Sequence, residues 1–471
     1  MGNFSDLPNE LIVEVWRHVL DPEAVESFAL TSKKVYAQGN AFVKEHNELK
    51  STFSFINHCR DDIQIRPADT LKSLLLNPRS ALYVRNVSID GWRYDWDPAD
   101  YLVPMGSRHR PYPKETMELF RQAIMSSPFV PDHNVGHWIN ELETGDEAEV
   151  LALIVMRLPN VETFKLLHEG RNELRISRTI QLIAESQGTE ALLRLKEVQI
   201  GWGDETVSGD LDWMHIFSAL PSVKTIEARN VGHDHDCNDP DCRRNRYTFD
   251  EDWDYAHDCH AWSHDPEFTL EPKTSNVTHL TFSNCEINTR RLLEFLEGLR
   301  ALEYIDYLGA MDPSEPWEIV SALLAHAKHS LQTLRLKACN ELYPGSCFTV
   351  DLAKFEVLKE LEIESEFLPL FKYASARSKL AELLPPSIET INLRRLNSDM
   401  PDLVGDDAVQ MKANRLPNLQ ELTIELIPSD EAPKAETISR MRQKCEVVGL
   451  MLSVTIKLPL RSSLGPMSAG W

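Results

Sequence analysis

A six-residue pattern with apolar residues at its first, fourth and sixth positions recurs along this 471-residue chain. Nine clear copies start at Val161, Leu195, Val223, Val277, Leu302, Leu331, Leu358, Ile388 and Leu419. Successive starts are 34, 28, 54, 25, 29, 27, 30 and 31 residues apart. Fainter copies start at Val84 and Val448. One long interval aside, the period is about 29 residues, which is typical of chains that stack one structural unit on the next.

Helix-like stretches separate these copies, with apolar residues at three- and four-residue spacing. They are EAEVLALIVMRL, SRTIQLIAESQ, DLDWMHIFSAL, TRRLLEFLEGL, PWEIVSALLAHA and AETISRMRQKC. A strand and a helix in every unit are the signature of leucine-rich repeats, because stacking buries both apolar surfaces. We therefore predict an α/β fold in which residues 81–460 form a leucine-rich-repeat-like solenoid, with parallel strands on the concave face and helices on the convex face. A doubly wound α/β domain is the alternative, but the steady spacing and the recurring Leu-Pro before the strands favour the solenoid.

The N-terminus predicts three short helices with more apolar surface than they can bury among themselves. Ser5 or Asp6, Asp21, and Thr31 or Ser32 are candidate N-caps, and Gly39 ends the third helix. The apolar residues of this segment are Leu11, Ile12, Val15, Trp16, Val19, Leu20, Phe28 and Tyr36. Part of this surface must therefore meet another domain or another protein.

Several of these residues resemble the F-box of fungal F-box proteins. The resemblance lies in Leu7-Pro8-x-Glu10-Leu11, in Asp21-Pro22 and in FALTSKKVY, and the repeats resemble the irregular leucine-rich repeats of the same proteins. It implies an F-box over residues 1–50 that docks a Skp-family adaptor and, through it, a cullin. The implied adaptor contacts are Leu7, Pro8, Leu11, Ile12, Val15, Trp16, Val19, Leu20, Phe28 and Leu30. The alternative is an ordinary N-terminal helical cap packed on the next domain.

The exposed strand positions of such a solenoid are the candidate target-binding residues. For a basic target segment they are Glu360, Glu362, Glu364, Glu421 and Glu425. For an acidic or phosphorylated segment they are Arg335, Lys337 and Arg394. The alternative is a solvated face on which neighbouring strands compensate each other's charge. Residues 51–80 are predicted as a helical linker and residues 461–471 as a tail.

An acidic insertion over residues 231–274 accounts for the long interval between repeats. It holds five of the 16 histidines and three of the eight cysteines. Cys237, Cys242, His257, Cys259 and His260 supply enough soft ligands for one tetrahedral structural zinc. The alternative is a disordered acidic loop with incidental histidines and cysteines. A second irregular stretch, residues 90–115, is either a recognition loop or a packed connector.

Composition and motifs reduce the number of functional classes that fit this chain. A net charge of −24 argues against nucleic-acid binding, and no apolar run is long enough to span a membrane. The uneven cysteines and the absence of a secretory signal favour a cytoplasmic or nuclear protein. Nucleotide-binding and hydrolase motifs are absent. We expect a non-enzymatic substrate-recognition subunit of an SCF-type cullin ubiquitin ligase, bound to an unknown target protein and lacking any certain cofactor. The alternatives are a leucine-rich-repeat scaffold outside any ligase and a metal-dependent enzyme built on the insertion.

Overall fold

The chain divides into two compact units in a computed structural model. The first comprises Met1–Asn230 and Asp234–Leu270, and the second comprises Val231–His233 and Glu271–Trp471. The structure describes residues 7–59, 66–90, 112–145, 147–168, 174–186, 191–202, 211–231, 270–285, 287, 289–309, 315–338, 352–364, 380–397, 401–427 and 435–456. Strands and helices alternate along both units, so the α/β class predicted from the sequence is confirmed.

Four helices form the N-terminal helical bundle of the first unit. They are α1 (Asn9–His18), α2 (Pro22–Ala29), α3 (Lys33–Gln38) and α4 (Asn40–Phe53). Asp21 caps α2 as predicted, because its carboxylate accepts hydrogen bonds from the amides of Glu23 and Ala24 at 3.0 and 3.1 Å. Ser32 caps α3 by accepting from the amide of Val35 at 3.2 Å. These two caps mark the starts of α2 and α3, whereas α1 begins after Pro8 without a side-chain cap.

Five parallel strands follow in the described part of the first unit. They are β1 (Phe55–Cys59), β2 (Asn86–Asp90), β3 (Thr163–His168), β4 (Glu197–Trp202) and β5 (Thr225–Arg229), paired in chain order. The helices of this region are α5 (Pro67–Leu76), α6 (Lys114–Met125), α7 (Val135–Thr144), α8 (Glu147–Val155), α9 (Leu174–Glu185) and α10 (Asp212–Ser218). Short 3-10 turns occupy Pro78–Tyr83 and Asp132–Asn134. The segment predicted as a helical linker therefore contains strand β1 as well as helix α5.

Seven parallel strands follow in the described part of the second unit. They are β6 (His279–Cys285), β7 (Tyr304–Gly309), β8 (Thr333–Ala338), β9 (Glu360–Glu364), β10 (Thr390–Asn397), β11 (Glu421–Ile427) and β12 (Met451–Ile456), again paired in chain order. The helices are α11 (Thr289–Gly298), α12 (Glu315–His326), α13 (Leu380–Leu383), α14 (Pro401–Asn414) and α15 (Ala435–Val447), and a 3-10 turn occupies Leu352–Lys354.

Strand order and burial distinguish this fold from a doubly wound sheet. Within each unit the strands follow one another in chain order, whereas a doubly wound sheet reverses its order at a switch point. The apolar positions of the nine clear motif copies are buried, as at Leu331, Leu334 and Leu336, while the intervening Thr333 and Arg335 are half-exposed. A doubly wound sheet would bury both faces. The arrangement of each unit is thus compatible with a solenoid-like α/β fold.

A ladder of asparagine and serine side chains links successive repeats. Each of these residues directly precedes an apolar motif and donates a hydrogen bond to a backbone carbonyl of the preceding repeat. The bonds run from Asn160 to Leu82 at 2.9 Å, Ser222 to Leu192 at 3.4 Å, Ser330 to Leu302 at 2.8 Å, Ser387 to Leu358 at 2.8 Å, and Asn418 to Pro386 at 3.2 Å. Turns between repeats leave backbone carbonyls that need donors, and this ladder supplies them.

Candidate functional site

Trp16, one of the ten implied adaptor contacts, is covered by its own chain. The side chain of Trp16 is 1% exposed, and its Nε1 donates a 3.1 Å hydrogen bond to the carbonyl of Val35. Its ring packs edge-on against Phe28 and stacks on Phe42, with centroids 4.8 and 5.9 Å apart. Phe42 belongs to α4, a helix that the sequence analysis did not predict. Trp16 is therefore buried by residues of its own bundle, including one on a helix beyond the three that were predicted.

The ten predicted adaptor contacts separate into internal and surface residues. Ile12, Trp16 and Phe28 belong to the bundle core together with Val25 and Val35. Leu7, Val15 and Val19 are half-buried and pack against that core. Pro8 is exposed, and the largest apolar exposures are those of Leu30 at 85%, Leu11 at 51% and Leu20 at 51%. The bundle core is thus complete without the three exposed leucines.

A polar junction ties the bundle to the 3-10 turn that precedes β2. The imidazole of His46 is buried, with Nδ1 3.1 Å from the hydroxyl of Tyr83 and Nε2 3.2 Å from a carboxylate oxygen of Glu26. The Lys50 ammonium donates to the same oxygen at 2.6 Å and lowers the pKa of Glu26 below its ordinary value. Burial raises the pKa of Tyr83, so its hydroxyl stays protonated at neutral pH.

Three further ion pairs strengthen this junction. Glu45 of the bundle lies 3.2 Å from Arg79. Glu23 lies 3.7 Å from Arg85 and also contacts Arg194. The bundle is therefore held against the start of the first sheet by contacts from both α2 and α4, and a protein bound to its leucines would be held in a fixed orientation to that sheet.

The half-exposed face of the second sheet presents side chains in register across its strands. We name two rows. The outer row contains His279, Tyr304, Thr333, Glu360, Thr390 and Glu421. The central row contains Thr281, Asp306, Arg335, Glu362, Asn392 and Thr423. Six of the eight predicted target-binding residues lie on or beside the central row, and the other two lie in the outer row.

The charges of the central row compensate one another. Glu362, whose side chain is 16% exposed, lies 3.5 Å from Arg335, 3.6 Å from Lys337 and 3.1 Å from Arg394. Asp306 lies 3.1 Å from Lys337 and 3.8 Å from Arg335. These pairs favour the alternative of mutual compensation for the central residues, since their charges are already satisfied within the sheet.

A β-bulge extends this array on β10. The pairing register shifts between Leu393 and Leu396, and Arg395 adopts a positive φ of 56°. As a result two consecutive arginines both reach sheet carboxylates: Arg394 lies 3.5 Å from Glu425, and Arg395 lies 3.6 Å from the buried Glu364. The sequence analysis missed Arg395, although the doubled arginine in NLRRL departs from the spacing of the other copies.

The outer row differs from the central row because its two carboxylates face no cation among the residues that the structure describes. The hydroxyl of Thr333 donates to Glu360 at 3.4 Å, and that of Thr423 donates to Glu421 at 3.5 Å. In the described ranges of the chain, neither Glu360 nor Glu421 has a cationic partner. This row is therefore the part of the sheet face that carries uncompensated negative charge.

Aromatic rings form the other end of the outer row. The rings of His279 and Tyr304 stack with centroids 5.5 Å apart and planes 20° apart. The guanidinium carbon of Arg335 lies 5.5 Å from the centroid of Tyr304. Burial, together with the neighbouring carboxylate of Asp306, raises the pKa of Tyr304. The outer row thus combines a ring surface with two carboxylates.

The predicted zinc ligands Cys237, Cys242, His257, Cys259 and His260 lie outside the described residues, as does most of the 90–115 stretch. Where the structure does describe the chain, it contains no group of three or more histidine, cysteine, aspartate or glutamate side chains placed to hold a metal ion.

Comparisons with known proteins assign no family to this chain. No protein-family model matches it, and no curated protein sequence matches it. Of the helices within the described ranges, none is both long and apolar enough to cross a membrane. Function must therefore be inferred from the two surfaces above, the exposed leucines of the bundle and the polar face of the second sheet.

Proposed function

We propose that this chain is the substrate-recognition subunit of an SCF-type cullin ubiquitin ligase. Its N-terminal bundle would be an F-box that docks a Skp-family adaptor, and its repeats would be leucine-rich repeats that hold a target protein. The observation that carries the proposal is the exposure of Leu11, Leu20 and Leu30 on a bundle whose core is complete without them. Contiguous apolar patches are typical of docking surfaces, and the proposal requires these three leucines to form one.

The junction around His46 supports a role in positioning. A ligase of this kind acts by raising the effective concentration of target lysines near the transfer machinery. The buried hydrogen bonds of His46 and the ion pair of Glu45 with Arg79 hold the bundle against the first sheet. The transfer chemistry itself would belong to other subunits, and this chain would supply only recognition and placement.

The docking surface can be tested without disturbing the bundle core. Leu11→Asp combined with Leu30→Asp places two charges on the proposed interface, where each desolvated charge costs several kcal/mol. Co-expressed Skp-family adaptor should co-purify with the wild-type chain and be lost from the double variant, since about 1.4 kcal/mol is tenfold in affinity. Leu76→Asp, a similarly exposed leucine at the end of α5, should retain it. Retention by the double variant would disprove docking through these leucines.

Cullin recovery separates a ligase subunit from a scaffold. In the proposed complex, a cullin should co-purify with the wild-type chain whenever the adaptor does. The Leu11→Asp and Leu30→Asp variant should lose both proteins together. Recovery of the adaptor without a cullin would instead indicate a repeat scaffold that uses the bundle only for assembly.

A further inference from the structure

We propose that the outer row binds a basic, proline-rich target segment in the polyproline II conformation, with cationic residues three positions apart. This inference deepens the proposed function, because it names the class of target segment that the second sheet would hold. It rests on the two carboxylates that have no cationic partner in the described part of the chain, on the stacked rings in the same row and on the spacing between strands.

The spacing of the row selects the conformation of the bound segment. Glu360 and Glu421 lie in the same register on β9 and β11, two strands apart. Adjacent strands are about 4.8 Å apart, so the two carboxylates are separated by about 9.6 Å across the sheet. A polyproline II helix repeats every three residues and rises about 3.1 Å per residue, so residues i and i+3 project the same way about 9.3 Å apart. An extended β-strand would turn residues i and i+3 to opposite faces.

Charge selects the residues at those positions. The charges of the central row are compensated by ion pairs within the sheet, so a charged ligand would gain little binding energy there. Glu360 and Glu421 carry the negative charge that has no counterpart within the described face. Arginines at positions i and i+3 would therefore each pair with one carboxylate, because a guanidinium group can form two parallel hydrogen bonds with a carboxylate.

The ring pair explains why the segment should be rich in proline. Tyr304 lies two strands from Glu360, on the side opposite Glu421. One further polyproline II turn places residue i−3 beside the rings of Tyr304 and His279, which stack on each other while the guanidinium of Arg335 lies over Tyr304. Aromatic surfaces of this kind bind proline rings that are already held in the polyproline II conformation, so little conformational entropy is lost on binding.

Two peptides of identical composition test the spacing with the full-length chain. A fluorescein-labelled PPPRPPRPP should bind more tightly than PPPPRRPPP, whose arginines are adjacent, as measured by fluorescence anisotropy. The acidic analogue PPPEPPEPP should not bind. Equal binding of the two arginine peptides, or no binding of either, would overturn the inference, since general attraction to an acidic chain does not depend on spacing.

Paired charge-neutralising variants test the site. Glu360→Gln combined with Glu421→Gln should weaken PPPRPPRPP about fivefold, the effect expected for two exposed ion pairs. Glu436→Gln combined with Glu446→Gln removes the same charge from exposed positions of α15 and should leave binding unchanged. Identical affinities for both double variants would place the peptide elsewhere and overturn the inference. Adaptor recovery is measured independently of peptide binding. If the adaptor co-purifies but the peptides bind without selectivity, only the peptide-binding inference is rejected. If the peptides bind selectively but the adaptor does not co-purify, only the ligase proposal is rejected.

Discussion

Trp16 occupies the space beside Gly39 that any side chain at that position would need. A Cβ atom built on Gly39 would overlap the indole ring. Gly39 separates α3 from α4, and its φ of −93° is open to any residue. The glycine is therefore required by close packing and not by backbone conformation. It allows α4 to fold over Trp16 and close the bundle core.

Gly39→Ala should accordingly loosen the bundle. We expect a loss of about 1–3 kcal/mol, the usual cost of overpacking a close-packed core. Faster hydrogen exchange across α1 to α4 would report it, with exchange in β7 to β11 unchanged. Gly136→Ala is the matched control, because a Cβ on this exposed glycine of α7 would meet nothing within 4 Å. Equal exchange in both variants would show that the tryptophan moves aside.

The contrast between Trp16 and the strands shows what the sequence could reveal. The strands at all eleven copies of the apolar motif were predictable, because burial of one strand face imposes the same spacing on every repeat. The cover over Trp16 was not predictable, because Phe42 lies on a helix with a weak apolar pattern beyond the glycine. Likewise, β1 lacks the motif and went unrecognised.

The ion pairs on the sheet face could not be predicted from the sequence, for a related reason. Alternation places most of the glutamates and arginines on the half-exposed face, although Glu364, predicted to be exposed, is buried. Which strand faces which depends on register. A shift of register around the bulge at Arg395 changes the partners of Glu364 and Glu425. Only the structure could therefore separate Glu362, which pairs with three cations, from Glu360, which has no cationic partner among the described residues.

The asparagine and serine ladder predicts a position-dependent cost for one substitution. Asn160 is buried, so Asn160→Ala should cost about 0.5–1.5 kcal/mol, the usual net value of one hydrogen bond, because Arg85 still donates to the carbonyl of Leu82 at 3.1 Å. Asn418→Ala removes the same bond at an exposed position, where water replaces it, and should cost less than about 0.5 kcal/mol. Urea denaturation of the two variants measures the difference. Equal midpoints would mean that the ladder does not stabilise the repeats.

Glu362 is expected to stabilise the second sheet more than Glu360 does. Glu362→Gln would leave Arg335, Lys337 and Arg394 sharing fewer carboxylates in a half-buried array, at a cost of about 1–3 kcal/mol. Glu360→Gln alters an exposed side chain and should change stability by less than about 0.5 kcal/mol. Thermal unfolding of both variants, at low and high salt, makes the comparison. A larger loss for Glu360→Gln would contradict the pairing described here.

Metal content tests the interpretation of the acidic insertion. If Cys237, Cys242 and Cys259 with His257 or His260 form a closed structural site, the purified chain should carry about one zinc ion, as four-ligand sites do. Elemental analysis of protein from zinc-supplemented cells measures this directly. Cys237→Ser combined with Cys242→Ser should remove the metal. If the purified protein contains no zinc, whether or not the cells were supplemented with zinc, the site is excluded.

Glu26 predicts a pH-dependent contribution from the junction between bundle and sheet. Because Lys50 holds the pKa of Glu26 below its ordinary value of 4.5, the charged carboxylate stabilises the folded chain above pH 4.5. The contribution is lost as the pH falls through the lowered pKa of the folded state. Glu26→Gln should therefore be less stable than wild type at pH 7, by less than about 1 kcal/mol for so exposed a side chain. Urea midpoints of the two proteins should converge as the pH falls below that ordinary value, and Glu48→Gln, an exposed substitution on α4, controls for the loss of one carboxylate. A constant difference between wild type and Glu26→Gln at all pH values would mean that packing, and not the charge of Glu26, accounts for its effect on the junction.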